Sequence, residues 1–219
     1  MQQIDAAAIE TFGIPRLLLM EHAGLAIARA VSSLSHDRLA AGSEPAVLVC
    51  CGTGYNGGDG LCAARHLHDW GYAPRVVLTG RLEQLREDPL VYARIVQRLG
   101  IPLRELTDLE GRGSVERWVE SCALIIDALL GIGVRGAVRE PAASLIDCIN
   151  RSGKPIVAAD IPSGLDGDTG LPQGRAVHAT VTVTFGLPKR GCLIGQGPAH
   201  VGTLVVDSIT IPRTLLESS

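Results

Sequence analysis

The stretch CGTGYNGGDG, residues 51–60, decides the fold of this chain. It follows the apolar run 46–50 and precedes an amphipathic stretch that begins at Leu61, so it predicts a turn between a strand and a helix. Glycine occupies five of its ten positions, and glycine lets a backbone adopt φ > 0 or lie directly against a ligand. The N–H groups at the start of the following helix would face an anion placed there. A nucleotide or pyrophosphate site is therefore the first hypothesis.

The G-x-G-x-x-G spacing within 52–57 also satisfies the dinucleotide fingerprint of NAD-dependent oxidoreductases, which is a weak match by itself. That fingerprint expects an acidic residue about 20 positions further on, at the end of the second strand. Here the strand 75–79 runs into Gly80 and Arg81, and the carboxylate of Asp59 would repel a pyrophosphate in the usual position. These residues disfavour an NAD-dependent dehydrogenase and indicate a different nucleotide geometry.

The composition bounds the classes of function. A chain of 219 residues with 46% hydrophobic residues suits a single domain, which we expect to span 1–219. A net charge of −3 gives no general attraction to nucleic acid or to an anionic membrane. The six cysteines have no C-x-x-C or zinc-like spacing, which favours buried, reduced thiols. Because there is no signal peptide and no apolar run of about 20 residues, we expect a soluble, cytoplasmic protein.

The pattern of elements predicts an α/β fold. A short helix and then a long one are expected within 4–34, and strands and helices alternate after them. The predicted strands are 46–50, 74–79, 101–106, 122–127 and 155–159, and the predicted helices are 58–70, 87–99, 113–120 and 141–151. A strictly alternating segment, 177–185, predicts a half-buried strand with one polar face, and 202–206 predicts a last strand. Such alternation is typical of a parallel sheet covered on both faces.

Two further strand ends carry unusual residues. The segment 127–136 reads DALLGIGVRG, which suits either a phosphate loop or an ordinary turn between strand and helix. The segment 160–170 opens with Asp160 directly after a buried strand, where desolvation tends to raise a carboxyl pKa into the range useful for proton transfer. Asp160 can instead cap its own turn, and Asp166 and Asp168 suit a solvated turn. Lys189, in a basic pair with Arg190, is interpreted as part of a solvated turn, with substrate phosphate as a lesser alternative.

Oxygen-bearing side chains recur at these ends, which should share one edge of the sheet. They are Asn56, Asp59, Asp127, Asp160 and Ser163. Oxygen ligands without a cluster of histidines or cysteines suit a hard cation and not zinc. The alternative, that Asn56 and Ser163 hydrogen-bond within their own turns, is slightly favoured by the residues alone.

Four motifs in order resemble those of the NAD(P)H-hydrate epimerase family, the YjeF N-terminal domain. They are GYNGGDG at 54–60, DALLGIG at 127–133, DIPSGLD at 160–166 and TFGLPK at 184–189. MEHAG at 20–24 resembles the N-terminal helix signature of the family, so the resemblance covers nearly the whole chain. Two positions depart from the family pattern: Tyr55 replaces the usual first Asn of NNGGDG, and His22 replaces an Asn.

The resemblance implies a Rossmann-like three-layer α/β/α sandwich with a mainly parallel sheet and N-terminal helices. It implies that the substrate is bound by Tyr55, Asn56, Gly57, Gly58, Asp59, Gly131, Ile132, Gly133, Val134, Arg135, Gly136, Ala137 and Asp160. It implies a potassium ion on Asn56, Asp127 and Ser163. The implied substrates are hydrated NADH and NADPH, whose R and S forms would interconvert at the hydroxylated carbon of the nicotinamide ring.

That carbon is bonded to the ring nitrogen, so one carboxyl can protonate the departing hydroxyl and later accept a proton from returning water. Asp160 is the candidate for this role. The resemblance further implies a homodimer and a separate dehydratase as functional partner, because the larger family members carry a second domain. The alternative is a non-catalytic nucleotide-binding or scaffold module of the same fold. The residues do not decide between NADH and NADPH hydrates.

Overall fold

Seven strands, all parallel, form one sheet in this structure, a computed structural model that describes residues 2–36, 45–108, 112–133 and 136–217. The strands are β1 (Ala46–Cys51), β2 (Ala73–Leu78), β3 (Leu103–Glu105), β4 (Leu124–Ala128), β5 (Ile156–Ala159), β6 (Val181–Phe185) and β7 (Thr203–Asp207). Their spatial order is β3-β2-β1-β4-β5-β6-β7. The order reverses at β1, so the loops after β1 and β4 flank a switch point, where open α/β sheets bind ligands.

Helices cover both faces of the sheet. They are α1 (Gln2–Glu10), α2 (Arg16–His36), α3 (Tyr55–Asp69), α4 (Glu87–Arg98), α5 (Arg112–Ser121), α6 (Ala142–Arg151), α7 (Arg190–Leu193), α8 (Gly197–Val201) and α9 (Arg213–Glu217). One face of β1, with Val47 and Val49, packs in a cluster with α2, α3 and α4. The other face, with Leu48 and Cys50, packs in a cluster with α5 and α6. The predicted three-layer α/β/α architecture is therefore confirmed.

The long N-terminal helix is part of the core. Ala23, Ile27 and Val31 on α2 are buried in the same cluster as strand residues. Gly24 lies so close to α3 that a Cβ atom there would come within 2.4 Å of the Cys62 sulfur. Among the described residues, α2 is the one helix long and apolar enough to cross a membrane, a test that buried core helices also meet. The face of α2 that carries small, apolar residues therefore packs against other parts of the same chain.

The strand predicted at 177–185 begins only at Val181. The N–H groups of Val177 and Ala179 instead bond to the carbonyls of Ser163 and His200, outside the ladder. The expected solvent-facing polar side is also wrong, because Thr182 and Thr184 are fully buried between two neighbouring strands. The predicted strand 101–106 is shorter as well, since only Leu103–Glu105 pairs with β2.

Candidate functional site

The loops after β1, β4 and β5 meet around one cavity of about 960 Å³ at the carboxyl edge of the sheet. The walls come from several separate parts of the chain. Among the lining residues are Asp5, Met20, Gly52, Tyr55, Asn56, Asp59, Gly131, Asp160, Phe185 and Lys189. α1 and the beginning of α2 form one side of it, so the N-terminal helices complete the site. A single open cavity with convergent polar groups is the arrangement expected of a small-molecule site.

Glycines of the 51–60 loop are required for close packing. None of them has a positive φ angle, contrary to the conformational argument drawn from the sequence. A Cβ atom on Gly52 would lie 1.9 Å from the carbonyl oxygen of Leu129, and one on Gly57 would lie 1.9 Å from that of Gly52. The loop after β4 therefore lies directly against the start of α3. α3 begins at Tyr55, three residues earlier than predicted, so its first N–H groups stand at the cavity.

Asp160 follows β5 and lies in the cavity wall. Its backbone has φ +65°, a left-handed conformation that is strained for a residue with a side chain. Its Oδ1 accepts hydrogen bonds from the N–H of Phe185 and from the Nζ of Lys189. The side chain is 14% exposed, so the carboxylate is largely withdrawn from water.

Lys189 does not lie in a solvated turn, which corrects the sequence interpretation. Its side chain is 6% exposed, and its ammonium forms an ion pair with Asp160 and donates to the carbonyl of Phe185 at 2.9 Å. A lysine without a partner at this depth would be strongly disfavoured, so the pair has to form together. Lys189 thus supplies a fixed positive charge next to the carboxyl group of Asp160.

Two further carboxyl groups share the cavity. Burial raises the pKa of Asp59 well above its usual range, and the charges of Asp160 and Asp5 raise it further while Lys189 opposes them. Burial likewise raises the pKa of Asp5, with Lys189 acting in the opposite direction. The cavity therefore combines Asp160, which is paired with a lysine, with two carboxyl groups whose pKa is raised by burial.

Three of the predicted oxygen-bearing residues lie close together at the edge of the cavity: Asn56, Asp127 and Ser163. The sequence predicted this because their strands end at the same edge of the sheet. Ser163 donates to Asp127 from its backbone N–H, at 2.8 Å, and from its hydroxyl, at 2.5 Å. The carbonyl of Leu130 accepts from Asn56 Nδ2 at 3.1 Å, and the N–H of Leu130 donates to Ser163 Oγ at 2.9 Å. Asp127 is fully buried, and this burial raises its pKa to about 6, against the lowering effect of the Ser163 hydrogen bonds. Asn56 Oδ1 is buried and has no hydrogen-bond partner among the described residues.

The remaining residues predicted to bind substrate differ in their positions relative to the cavity. Ile132, Gly133 and Ala137 line the cavity with Gly131. Gly57 and Gly58 are buried beneath it, where a Cβ on Gly58 would come within 2.6 Å of Met20. Gly136 is exposed and has φ +81°. Val134 and Arg135 lie outside the described residues.

Sequence reasoning missed Asp5 as a member of the site. Nothing in α1 marks this residue, because its place in the cavity results from how the helix docks over the sheet edge. Lys189 had a usable signal, since it follows the end of a predicted strand within TFGLPK. Its depth, however, depends on the strand register and on α7, which no local pattern specifies.

The fold and the site define a three-layer α/β protein with a ligand cavity at the carboxyl edge of its sheet. Residues 16–191 match the family described as YjeF-related protein N-terminus, and the chain belongs to this family. The bifunctional NAD(P)H-hydrate repair enzyme Nnr of Pyrobaculum aerophilum is 43% identical over 209 residues, which are 93% of this chain and 39% of that protein.

The NAD(P)H-hydrate epimerase of Limosilactobacillus fermentum is 36% identical over 206 residues, 94% of this chain and 92% of that protein. The crystal structure of yeast ynu0 superposes with a TM-score of 0.85 at 27% identity and covers 99% of this chain and 89% of that one. The chain spans about two fifths of the length of the bifunctional relatives that it matches.

Proposed function

We propose that this chain is an isomerase, an NAD(P)H-hydrate epimerase that interconverts the R and S forms of hydrated NADH and NADPH. The observation that carries the proposal is the buried Asp160–Lys189 pair, which faces the same cavity as the start of α3. The name of the L. fermentum relative, which this chain matches over nearly its whole length, supports it.

The reaction requires proton transfer at one oxygen. In the hydrate, the hydroxylated carbon is bonded to the ring nitrogen. A carboxyl group protonates the hydroxyl, the C–O bond breaks to release water, and the nitrogen lone pair forms an iminium ion. Water then adds to the opposite face of the ring and returns one proton to the carboxylate, so atoms and charge balance and no redox step occurs. Asp160 is the proposed acid and base.

Lys189 and Asp59 support Asp160 in different ways. Lys189 binds Oδ1 of Asp160 and thereby fixes the direction of its other oxygen. Burial and the charge of Asp160 raise the pKa of Asp59 well above its usual range, so Asp59 is a second carboxyl group that can hold a proton in the same cavity.

The diphosphate of the substrate suits the beginning of α3. The first N–H groups of a helix lack intrahelical partners and carry partial positive charge. The N-cap residue Gly54 has no side chain to occupy them, and Tyr55 and Asn56 follow it at the cavity wall. The second proposed contact is the loop 131–137, whose Gly131 and Gly133 line the cavity beside the start of α3.

A potassium ion is the proposed cofactor. The residues present fit it: Asp127 supplies a carboxylate, Ser163 a hydroxyl, and Asn56 an amide oxygen that is buried without a partner among the described residues. Oxygen ligands around one negative charge suit a hard cation. The ion would fix the positions of the loops after β1, β4 and β5 relative to one another. It would also favour the carboxylate form of Asp127.

The partner proposals are a homodimer and a separate dehydratase that consumes one epimer, in the cytoplasm, with no nucleic-acid or membrane partner. The face of α2 that carries small residues does not offer a dimer surface, because it packs inside the chain. Phe12, Leu17 and Leu18, which are exposed around the α1–α2 junction, are the apolar surface that would serve instead. Sedimentation velocity at micromolar concentration distinguishes dimer from monomer.

The decisive experiment is chromatographic separation of the R and S forms of hydrated NADH, each incubated with the purified protein. We expect each single epimer to relax to the equilibrium mixture faster than in buffer, with no change in redox state. Relaxation at the spontaneous rate would contradict an epimerase. Oxidation or reduction of added NAD(H) would instead indicate a dehydrogenase.

A further inference from the structure

Three residues at the beginnings of three helices form a cluster at the mouth of the cavity. Arg16 begins α2, Tyr55 begins α3 and Glu87 begins α4, and we call them the rim cluster. Arg16 and Tyr55 line the cavity while their side chains stay well exposed, Tyr55 to 47%. Because these two residues line the cavity and are also exposed, they lie where the cavity opens to solvent.

The rim cluster fixes the orientation of the Tyr55 ring. Its hydroxyl accepts from Arg16 Nη1 at 2.5 Å and donates to the carboxylate of Glu87. The guanidinium of Arg16 also lies over the ring, 4.8 Å from its centroid. An aromatic side chain held at its hydroxyl and on one face loses little further freedom when a ligand covers the rest of its surface.

The cluster is not suited to an anion. Arg16 Nη1 lies 3.0 Å from Glu87 Oε2, so the positive charge of the guanidinium is already compensated. What remains available at the rim is the aromatic ring of Tyr55, a residue that is 47% exposed. A flat, uncharged π surface selects a flat, weakly charged group, and a nucleobase is such a group.

The shape of the cavity decides which part of a dinucleotide reaches this ring. Asp160 and Lys189 are 14% and 6% exposed, so the reacting ring has to enter deeply to meet them. With the diphosphate at the beginning of α3, the other half of the molecule extends towards the mouth. We propose that Tyr55 is a specificity-determining residue that stacks against the adenine base of the hydrated dinucleotide. This inference rests on the proposed function.

The first test compares hydrated NADH with a smaller substrate that lacks the proposed contact. Hydrated reduced nicotinamide mononucleotide keeps the reacting ring and one phosphate but has no adenosine. Stacking of one base on an aromatic side chain is worth about 1–3 kcal/mol, which is roughly 5- to 100-fold in kcat/KM. We expect Tyr55→Ala to lower kcat/KM for hydrated NADH by this factor and to lower that for the mononucleotide by a much smaller one.

Two further variants separate the ring from its hydroxyl and from unspecific surface effects. Tyr55→Phe keeps the ring and should retain most of the preference for the dinucleotide. Trp70→Ala removes another exposed aromatic side chain, at the opposite end of α3, and should change neither substrate. Equal losses on both substrates in Tyr55→Ala, or a loss in Tyr55→Phe as large as that in Tyr55→Ala, would overturn the stacking role.

The second test does not depend on turnover. ADP-ribose keeps the adenosine and the diphosphate and lacks the nicotinamide ring, and its affinity is measured by isothermal titration calorimetry. We expect Tyr55→Ala to weaken its binding roughly 5- to 100-fold and Trp70→Ala to leave it unchanged. Unchanged affinity in Tyr55→Ala would refute the inference even if the protein is an epimerase. Weakened ADP-ribose binding without epimerisation by the wild type would instead refute the proposed function.

Discussion

Asp127 and Asp160 occupy the same kind of position, at or just past the end of a central strand, yet the structure gives them different chemistry. Asp127 is the fourth residue of β4 and is fully buried, and it accepts hydrogen bonds from neutral groups of Ser163 and Leu129. Asp160 follows β5, lines the cavity and is paired with Lys189. The comparison teaches that the chemistry of a carboxylate at a strand end depends on the groups that the rest of the fold packs against it.

A third aspartate separates the effect of burial from that of hydrogen bonding. Asp166 accepts hydrogen bonds from Thr169 and Asp168 in a more open turn, and these lower its pKa to about 2. Asp127 accepts from the same kinds of donor, backbone N–H and a hydroxyl, but its pKa is raised to about 6. Because the donors are alike, burial is the physical reason for the opposite directions.

The largest expected effect follows from Asp160→Asn. The amide keeps the shape but transfers no carboxyl proton, so we expect the epimerisation rate to fall by about 10²- to 10⁴-fold while substrate binding survives. The rate is measured by chiral separation after subtracting the spontaneous reaction. Asp168→Asn, in the same loop, is the matched control and should keep its rate. Near-full activity in Asp160→Asn would leave Asp160 as a turn residue and move the proton transfer to Asp59 or Lys189.

The second prediction concerns the buried pair itself. Lys189→Met removes the only partner charge given to Asp160 by the described residues, so we expect the free energy of unfolding to fall by about 3–5 kcal/mol. Guanidinium denaturation measures it. The double variant Asp160→Asn with Lys189→Met removes both charges and should recover part of the loss. If the double variant is no more stable than Lys189→Met, the two charges are not coupled.

The third prediction tests Asp127 as a cation ligand. Replacing choline chloride with potassium chloride at equal ionic strength should stabilise the wild type by roughly 1–2 kcal/mol when potassium exceeds its Kd by about 5- to 30-fold. For a domain of this size, that is a rise in Tm of about 2–8 °C. Asp127→Asn should reduce the rise, whereas Asp166→Asn should keep it. A full potassium response in Asp127→Asn would remove this residue from the proposed ligands.

The smallest expected effect is a pH dependence at Asp166. Its folded pKa, about 2, lies below the ordinary value near 3.8, so its stabilising contribution is complete above about pH 4 and is lost as the pH falls towards 2. Because the turn is partly open to solvent, we expect no more than about 1 kcal/mol. Thermal unfolding from pH 2 to 5 should show a shallower slope for Asp166→Asn. An identical slope would mean that these hydrogen bonds persist in the unfolded chain.

Much of the fold could be predicted because its signals are local. The alternation of apolar runs with helical spacing located six of the seven strands within a few residues, and Asp127 and Asp160 were placed at the correct edge. The remaining strand, β6, was predicted to begin four residues too early, because the alternation continues through 177–180. The N–H groups of Val177 and Ala179 bond to the carbonyls of Ser163 and His200 instead, and a sequence period does not report which partner an N–H group finds.

The sequence by itself determined the parallel α/β order, the glycine-rich turn before α3 and the set of oxygen-bearing strand ends, since each depends on neighbours within a few positions. Only the tertiary structure decided that Lys189 is buried against Asp160, that Asp5 enters the cavity, and that Arg16 and Glu87 hold the Tyr55 ring. These contacts join residues 29 to 71 positions apart, or depend on how α1 docks. Their energies depend on burial and charge, which exist only once the chain has packed.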